Sequence, residues 1–204
     1  DIVYYDTGTA ALSWYFDGSD VGVSGTDIDA FHVRANGSIL MSFDSTTFSV
    51  TGLTGGPNGT TVEDRDIILF TPTTTGATTA GSFSFYFDGS DVGLSTSSSE
   101  DIDAIYEEAG GALLLSTLGN PTVTGLSGLA DEDILRFTGT FGSATSGSFT
   151  HYFDGSDVGL GASSGGDIDG IGFVSGTNLV LTTQADTTSG ISWANEDLVR
   201  FTGT

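Results

Sequence analysis

The chain contains no cysteine and no lysine among its 204 residues. Without cysteine there are no disulfides, thiolate ligands or thiol nucleophiles. Without lysine there is neither Schiff-base catalysis nor a lysine–asparagine isopeptide crosslink. Basic residues number only four, Arg34, Arg65, Arg136 and Arg200, against 27 acidic ones, for a net charge of −23. Neutralising phosphate takes clustered Lys and Arg, so no nucleic acid is expected as a partner. The same charge argues against anionic membrane surfaces. No apolar run approaches the ~20 residues of a membrane span, so no membrane insertion is expected. No signal peptide is visible and the sequence opens on Asp1, so it reads as a mature or excised segment.

What is present is not the composition of a disordered acidic chain. Hydrophobic residues make up 37% and aromatics 11%, and they fall in periodic runs. Abundant Gly, Ser and Thr with no lysine suit an extracellular or cell-surface protein. Self-repulsion on this scale calls for relief, from bound divalent cations or from a salty medium.

The octet "YFDGSDVG" occurs three times, at Tyr15–Gly22, Tyr86–Gly93 and Tyr152–Gly159. Its phenylalanines, Phe16, Phe87 and Phe153, are 71 and 66 residues apart. Four segments recur with it: "GSFSFYFDGSDVGL", "EDIDAIYEEAGG", "ALLLSTL" and "DEDILRFTGT". Residues 1–204 are therefore read as a single all-β repeat domain with three units of about 66–71 residues.

The segments are strands. Phe83, Phe85 and Phe87 alternate with Ser84, Tyr86 and Asp88, and Leu12, Trp14 and Phe16 repeat that period of two. "NGS" at Asn36–Ser38 and "GG" at Gly110–Gly111 sit where hairpin turns belong. The opening "DIVYYDTGTA" and the closing "DLVRFTGT" are the same strand type, which makes thirteen strands where three closed units need twelve. The expected fold is three four-stranded antiparallel repeats arranged as propeller-like blades. A three-fold β-prism and an open β-repeat array are the alternatives. The surplus strand either covers an edge of its own domain or offers that edge to another subunit.

Aspartates recur at fixed places. The octet supplies Asp17 and Asp20, Asp88 and Asp91, Asp154 and Asp157; the "DID" tripeptide supplies Asp27 and Asp29, Asp101 and Asp103, Asp167 and Asp169. A fifth position opens the last strand type, at Asp66, Asp133 and Asp197 with Asp1 as the extra copy, and Asp64 and Asp131 precede it by two. Calcium takes six to eight oxygen ligands. A turn with two aspartates, followed by a strand with two on one face, could enclose one Ca2+ per unit, so all twelve octet and "DID" aspartates are candidate ligands. The competing reading gives them turn and capping duty, since Asp readily bonds the backbone two residues on.

Tyr15, Tyr86 and Tyr152 face away from the core phenylalanines. They are expected to pack on the next unit, or else to form sugar platforms of a multivalent carbohydrate-binding module. No catalytic arrangement is recognisable, because His32 and His151 occupy non-equivalent positions and three identical carboxylate sets do not resemble one specialised active site, so no enzymatic activity is expected. Asn36 and Asn58 match the glycosylation sequon. The string "YFDGSDVGL…DIDA…DEDILRFTGT" resembles tandem repeats of large secreted or surface-anchored bacterial proteins. That resemblance implies an extracellular, repetitive, all-β setting and no particular activity. The expected function is a structural or adhesive module, stiffened by calcium. It self-associates end to end into a fibre or surface layer, or packs on neighbouring repeats of a longer protein.

Overall fold

The alternating runs fold as strands, seventeen of them within the residues that the computed structural model describes: 1–95, 99–162, 165–174 and 178–202. In chain order they are β1 (Ile2–Asp6), β2 (Ala11–Phe16), β3 (Ile28–Val33), β4 (Ile39–Phe43), β5 (Thr47–Ser49), β6 (Thr61–Glu63), β7 (Ile67–Thr74), β8 (Ala80–Phe87), β9 (Ala104–Glu107), β10 (Leu113–Ser116), β11 (Ile134–Thr140), β12 (Ser146–Phe153), β13 (Ile168–Val174), β14 (Asn178–Thr183), β15 (Thr187–Ser189), β16 (Ile191–Trp193) and β17 (Val199–Arg200). The last two residues of "DLVRFTGT" lie outside the described residues.

The chain is all-β, and the sheets are small and antiparallel. β1 and β2 form a hairpin; β3-β4-β7-β8 and β9-β10-β11-β12 form two four-stranded meanders; β13-β14-β17 form a three-stranded sheet. These hold the thirteen strands of the four recurring types. The remaining four, β5-β6 and β15-β16, are accessory hairpins on the excursion between the second and third strands of a sheet. The predicted turns close the meanders. At Arg34–Ser38 the Arg34 N–H donates to Ser38 O (2.8 Å), and at Glu108–Ala112 the Glu108 N–H donates to Ala112 O (2.8 Å). Gly37 and Gly111 supply the left-handed residue, at φ 84° and 82°.

Spacing alone predicts three four-stranded units, each opening with the octet strand. The pairing divides the chain differently. The octet strand is the last of its sheet: β8 pairs with β7, with Ile67 opposite Phe87 and Phe70 opposite Phe83, and β12 pairs with β11 in the same way. "DGSDVG" then carries the chain to the next sheet. The surplus strand is β1, which pairs with β2. The division therefore runs as two, four, four and three strands. The sharp turn depends on its glycine. A Cβ on Gly89 would overlap the Arg65 carbonyl oxygen, and one on Gly155 would overlap that of Glu132.

The sheets meet face to face over three hydrophobic cores. One joins the β1-β2 hairpin to the first meander through Ile2, Phe16, Met41, Phe43 and Phe70. The second joins the two meanders through Leu40, Phe87, Leu113, Leu115 and Phe137. The third joins the second meander to the last sheet through Leu114, Phe153, Ile168 and Leu181. Central strands are thus covered on both sides. All five residues of β4 are buried, with Ile39, Met41 and Phe43 in one core and Leu40 in the next. This is why the middle strands read as continuous apolar runs.

Candidate functional site

The octet aspartates hold their own turn. Ser19 donates its N–H (3.1 Å) and its hydroxyl (2.6 Å) to Asp17 Oδ1. Ser90 does the same to Asp88, and Ser156 to Asp154. These are Asx-type turns, each closing a loop of two residues. Asp20 Oδ2 accepts the N–H of Thr79, on the following sheet, at 2.8 Å. Asp91 and Asp157 are exposed.

The fifth aspartates clamp the octet glycine. Asp1, Asp66 and Asp133 accept the N–H of Gly18 (2.8 Å), Gly89 (3.3 Å) and Gly155 (3.0 Å). A threonine completes the joint. The Asp17 N–H donates to Thr79 Oγ1 (2.8 Å) and the Asp88 N–H to Thr145 Oγ1 (2.9 Å), while each hydroxyl donates to a turn carbonyl, Gly76 or Gly142. Gly76 and Gly142 in turn donate their N–H groups to the Tyr15 and Tyr86 carbonyls (2.9 and 2.7 Å). Thr145→Val leaves the buried Asp88 N–H without its acceptor. It is expected to cost about 1–3 kcal/mol, read as a lower urea midpoint at unchanged m-value.

The "DID" aspartates do something else. β3 packs beside β9, and β9 beside β13, without pairing as strands of one sheet. The second aspartate of one tripeptide therefore meets the first of the next. Asp29 lies close enough to Asp101, and Asp103 to Asp167, for their charges to repel across the seam. The acidic turn of the preceding sheet flanks each pair: the Ile102 N–H donates to Asp64 O (3.1 Å) and the Ile168 N–H to Asp131 O (3.2 Å). Burial, and then the neighbouring carboxylates, push Asp29 to about 6, Asp101 to about 8 and Asp167 to about 7. Asp103 is raised well above the ordinary range by burial and by Asp167. At the edge of this acidic row, Asp27 donates its N–H to Asp44, and Asp169 accepts the Thr182 hydroxyl (2.5 Å).

No three of the twelve candidate carboxylates bring ligand atoms within 4.8 Å among the described residues. The group that does is Asp133, His151 and Asp154. His151 Nε2 lies 3.2 Å from Asp133 Oδ2, but Asp133 and Asp154 are already taken by backbone N–H groups. The trio does not recur, because Phe85 and Trp14 stand in the place of His151. The seam pairs were not legible as pairs, since 72 and 64 residues separate their members.

Tyr86 does pack on the next sheet. Its ring stacks on Phe141 (4.7 Å, 17°), and its hydroxyl donates to Glu107 Oε1 (2.9 Å). Arg34 pairs with Glu107 and lies over the Tyr86 ring, 5.0 Å from its centroid. This network ties Tyr86 to its neighbours, whereas Tyr152 is 41% exposed. Asn36 is exposed, with Oδ1 accepting from Ser38 within its turn, and Asn58 is exposed on the first meander's excursion. Among the described residues no helix is long and apolar enough to cross a membrane. No family model, curated protein or solved structure matches the chain.

Proposed function

We propose that the chain is an extracellular structural module of a bacterial surface or secreted protein. Its propeller-like sheets stand in an open row, joined end to end with other copies and stiffened by calcium at the joints. The observation that carries this reading is a joint that repeats from sheet to sheet, together with an apolar hairpin face that stays exposed. A T-shaped phenylalanine pair recurs at each core, Phe16–Phe70, Phe87–Phe137 and Phe153–Phe201, with centroids 5.0–5.2 Å apart. In the two meanders the fourth strand adds a further ring, Phe83 on Phe70 (4.9 Å) and Phe149 on Phe137 (5.1 Å). Beside Phe201 lies a cavity of about 460 Å³, lined by Phe153, Leu160, Leu181, Trp193 and Val199.

The β1-β2 hairpin exposes apolar side chains at the matching register. Leu12 stands at the register of Phe83, and Trp14 at that of Phe85. They are 70% and 45% exposed. Among the described residues β17 pairs with β14 at Val199 and Arg200, the Phe201 N–H donates to Leu179 O (2.8 Å), and β1 is the same strand type. The β1-β2 hairpin of a second copy therefore suits the β14 edge in place of β17, and its second strand suits the cavity. Sedimentation velocity over a concentration series in high salt, which screens the charge, is expected to show growing species for the wild type and a monomer for Trp14→Lys. A wild type that stays monomeric at ~1 mM in high salt would sink the end-to-end reading.

A further inference from the structure

The seams between sheets hold carboxylates that the fold leaves without donors. Asp103 is 4% exposed, and neither of its carboxylate oxygens has a hydrogen-bond partner. Asp101 Oδ1 and Asp167 Oδ1 are buried and likewise lack a hydrogen bond, as does Asp64 Oδ1, which has only the Arg65 guanidinium at 4.0 Å. Among the described residues these are all the buried side-chain oxygens that lack a partner, and every one lies at one of the two seams. Folded proteins satisfy nearly every buried polar atom, and a bare buried carboxylate is among the most costly to leave. Two independent seams with the same defect, built from the same repeated positions, indicate a ligand in common.

We infer that each seam is a calcium site: Asp29, Asp64 and Asp101 form the first, and Asp103, Asp131 and Asp167 the second. The set is purely oxygen, with no nitrogen or sulfur, which selects a hard cation over zinc or copper. Calcium accepts irregular oxygen cages, whereas magnesium demands near-ideal octahedral geometry. In each seam the carboxylates interact across the sheets, but the three do not bring ligand atoms within 4.8 Å of one another. Binding therefore draws the three together and ties the acidic turn of one sheet to the "DID" strand of the next. The octet aspartates take no part: Asp17, Asp20, Asp88 and Asp154 are occupied with turn and joint hydrogen bonds, and Asp91 and Asp157 are exposed.

This inference rests on the calcium-stiffened reading above and moves its ligands from the octet to the seams. Calorimetric titration of chelator-stripped protein at pH 7.5 tests it, with magnesium as the competitor. The wild type is expected to bind two calcium ions. Asp103→Asn and Asp101→Asn are each expected to bind one, and the double variant none. The exposed Asp157→Asn still binds two. In chelator the Asn variants are expected to melt higher than the wild type, because one repelling charge is gone, so loss of binding cannot be mistaken for loss of fold. Two ions bound by the double variant would overturn the seam assignment while leaving calcium stiffening intact. No binding to the wild type at millimolar calcium, or equal binding of magnesium, would overturn both.

Discussion

In chelator, the unfolding midpoint is expected to fall by on the order of 10–20 °C between pH 4 and pH 8. The groups responsible are buried carboxyls whose folded pKa lies above the ordinary value near 4. They are Asp29 at about 6, Asp66 and Asp167 at about 7, Asp101 at about 8, and Glu132 at about 7. Burial is the largest cause at each. At the seams it is followed by repulsion from neighbouring carboxylates: Asp44 on Asp29, Asp29 and Asp64 on Asp101, and Asp131 and Asp169 on Asp167. The folded state binds more protons than the unfolded chain, so stability falls with rising pH. The contribution is fully present below about pH 4 and is lost as pH rises through 6 to 8. Discounting for solvent screening at the partly exposed groups leaves roughly 5 kcal/mol, and a domain of this length shifts by about 2–4 °C per kcal/mol. Glu107 opposes the trend weakly, since the hydrogen bonds from Arg34 hold its carboxyl down. Calcium should flatten the profile, because it needs the deprotonated form and replaces the proton between facing carboxylates. Circular-dichroism melts across this range, in chelator and in calcium, measure both slopes. A midpoint that climbs from pH 4 to 8 in chelator contradicts the seam electrostatics.

Phe87→Ala is expected to cost about 3–5 kcal/mol, or roughly 6–20 °C in midpoint. Phe87 is fully buried between the two meanders, edge-on to Phe137 at 5.2 Å and 6.5 Å from Phe141. Its removal leaves a cavity walled by two rigid sheets that cannot collapse into it. Phe153 holds the same octet position but borders the open cavity beside Phe201. Phe153→Ala is therefore expected to cost less than Phe87→Ala under the same conditions. Denaturant titration of both variants gives the comparison. Equal losses would mean that the third core is packed as tightly as the second.

These two expectations draw on different depths of the sequence. The strands were legible because Phe83, Phe85 and Phe87 alternate and glycines punctuate them, and the thirteen recurring strands are all found in place. The Asx turns were legible too, since Asp17 and Ser19 lie two residues apart. The sheet boundary was not. Whether the octet strand opens one sheet or closes the previous one depends on where β8 finds its partner, and both assignments satisfy the same alternation. The accessory hairpins escaped for a different reason. β5, β15 and β16 have three residues each and carry Thr and Ser, too short for any period to register. At the seams the sequence showed that "DID" puts two aspartates on one face, but not that Asp29 and Asp101 share a joint. That pairing is set by β3 lying beside β9, a relation that no local pattern encodes.

The placement of the cores has a consequence for cooperativity. Each of the three lies between sheets and none within a sheet, so four sheets share three interfaces. An isolated sheet would have chain entropy to lose and nothing to bury against. Each sheet added at an end brings one whole interface for the entropy of one sheet, as in a one-dimensional chain of coupled elements. Below a threshold number of sheets such a chain melts as a unit. Above it the midpoint levels off, and opening begins from the ends, where β1 and β17 each have one neighbour. Amide exchange is then slowest in β4 and β10, which are walled on both faces, and quickens outward one sheet at a time.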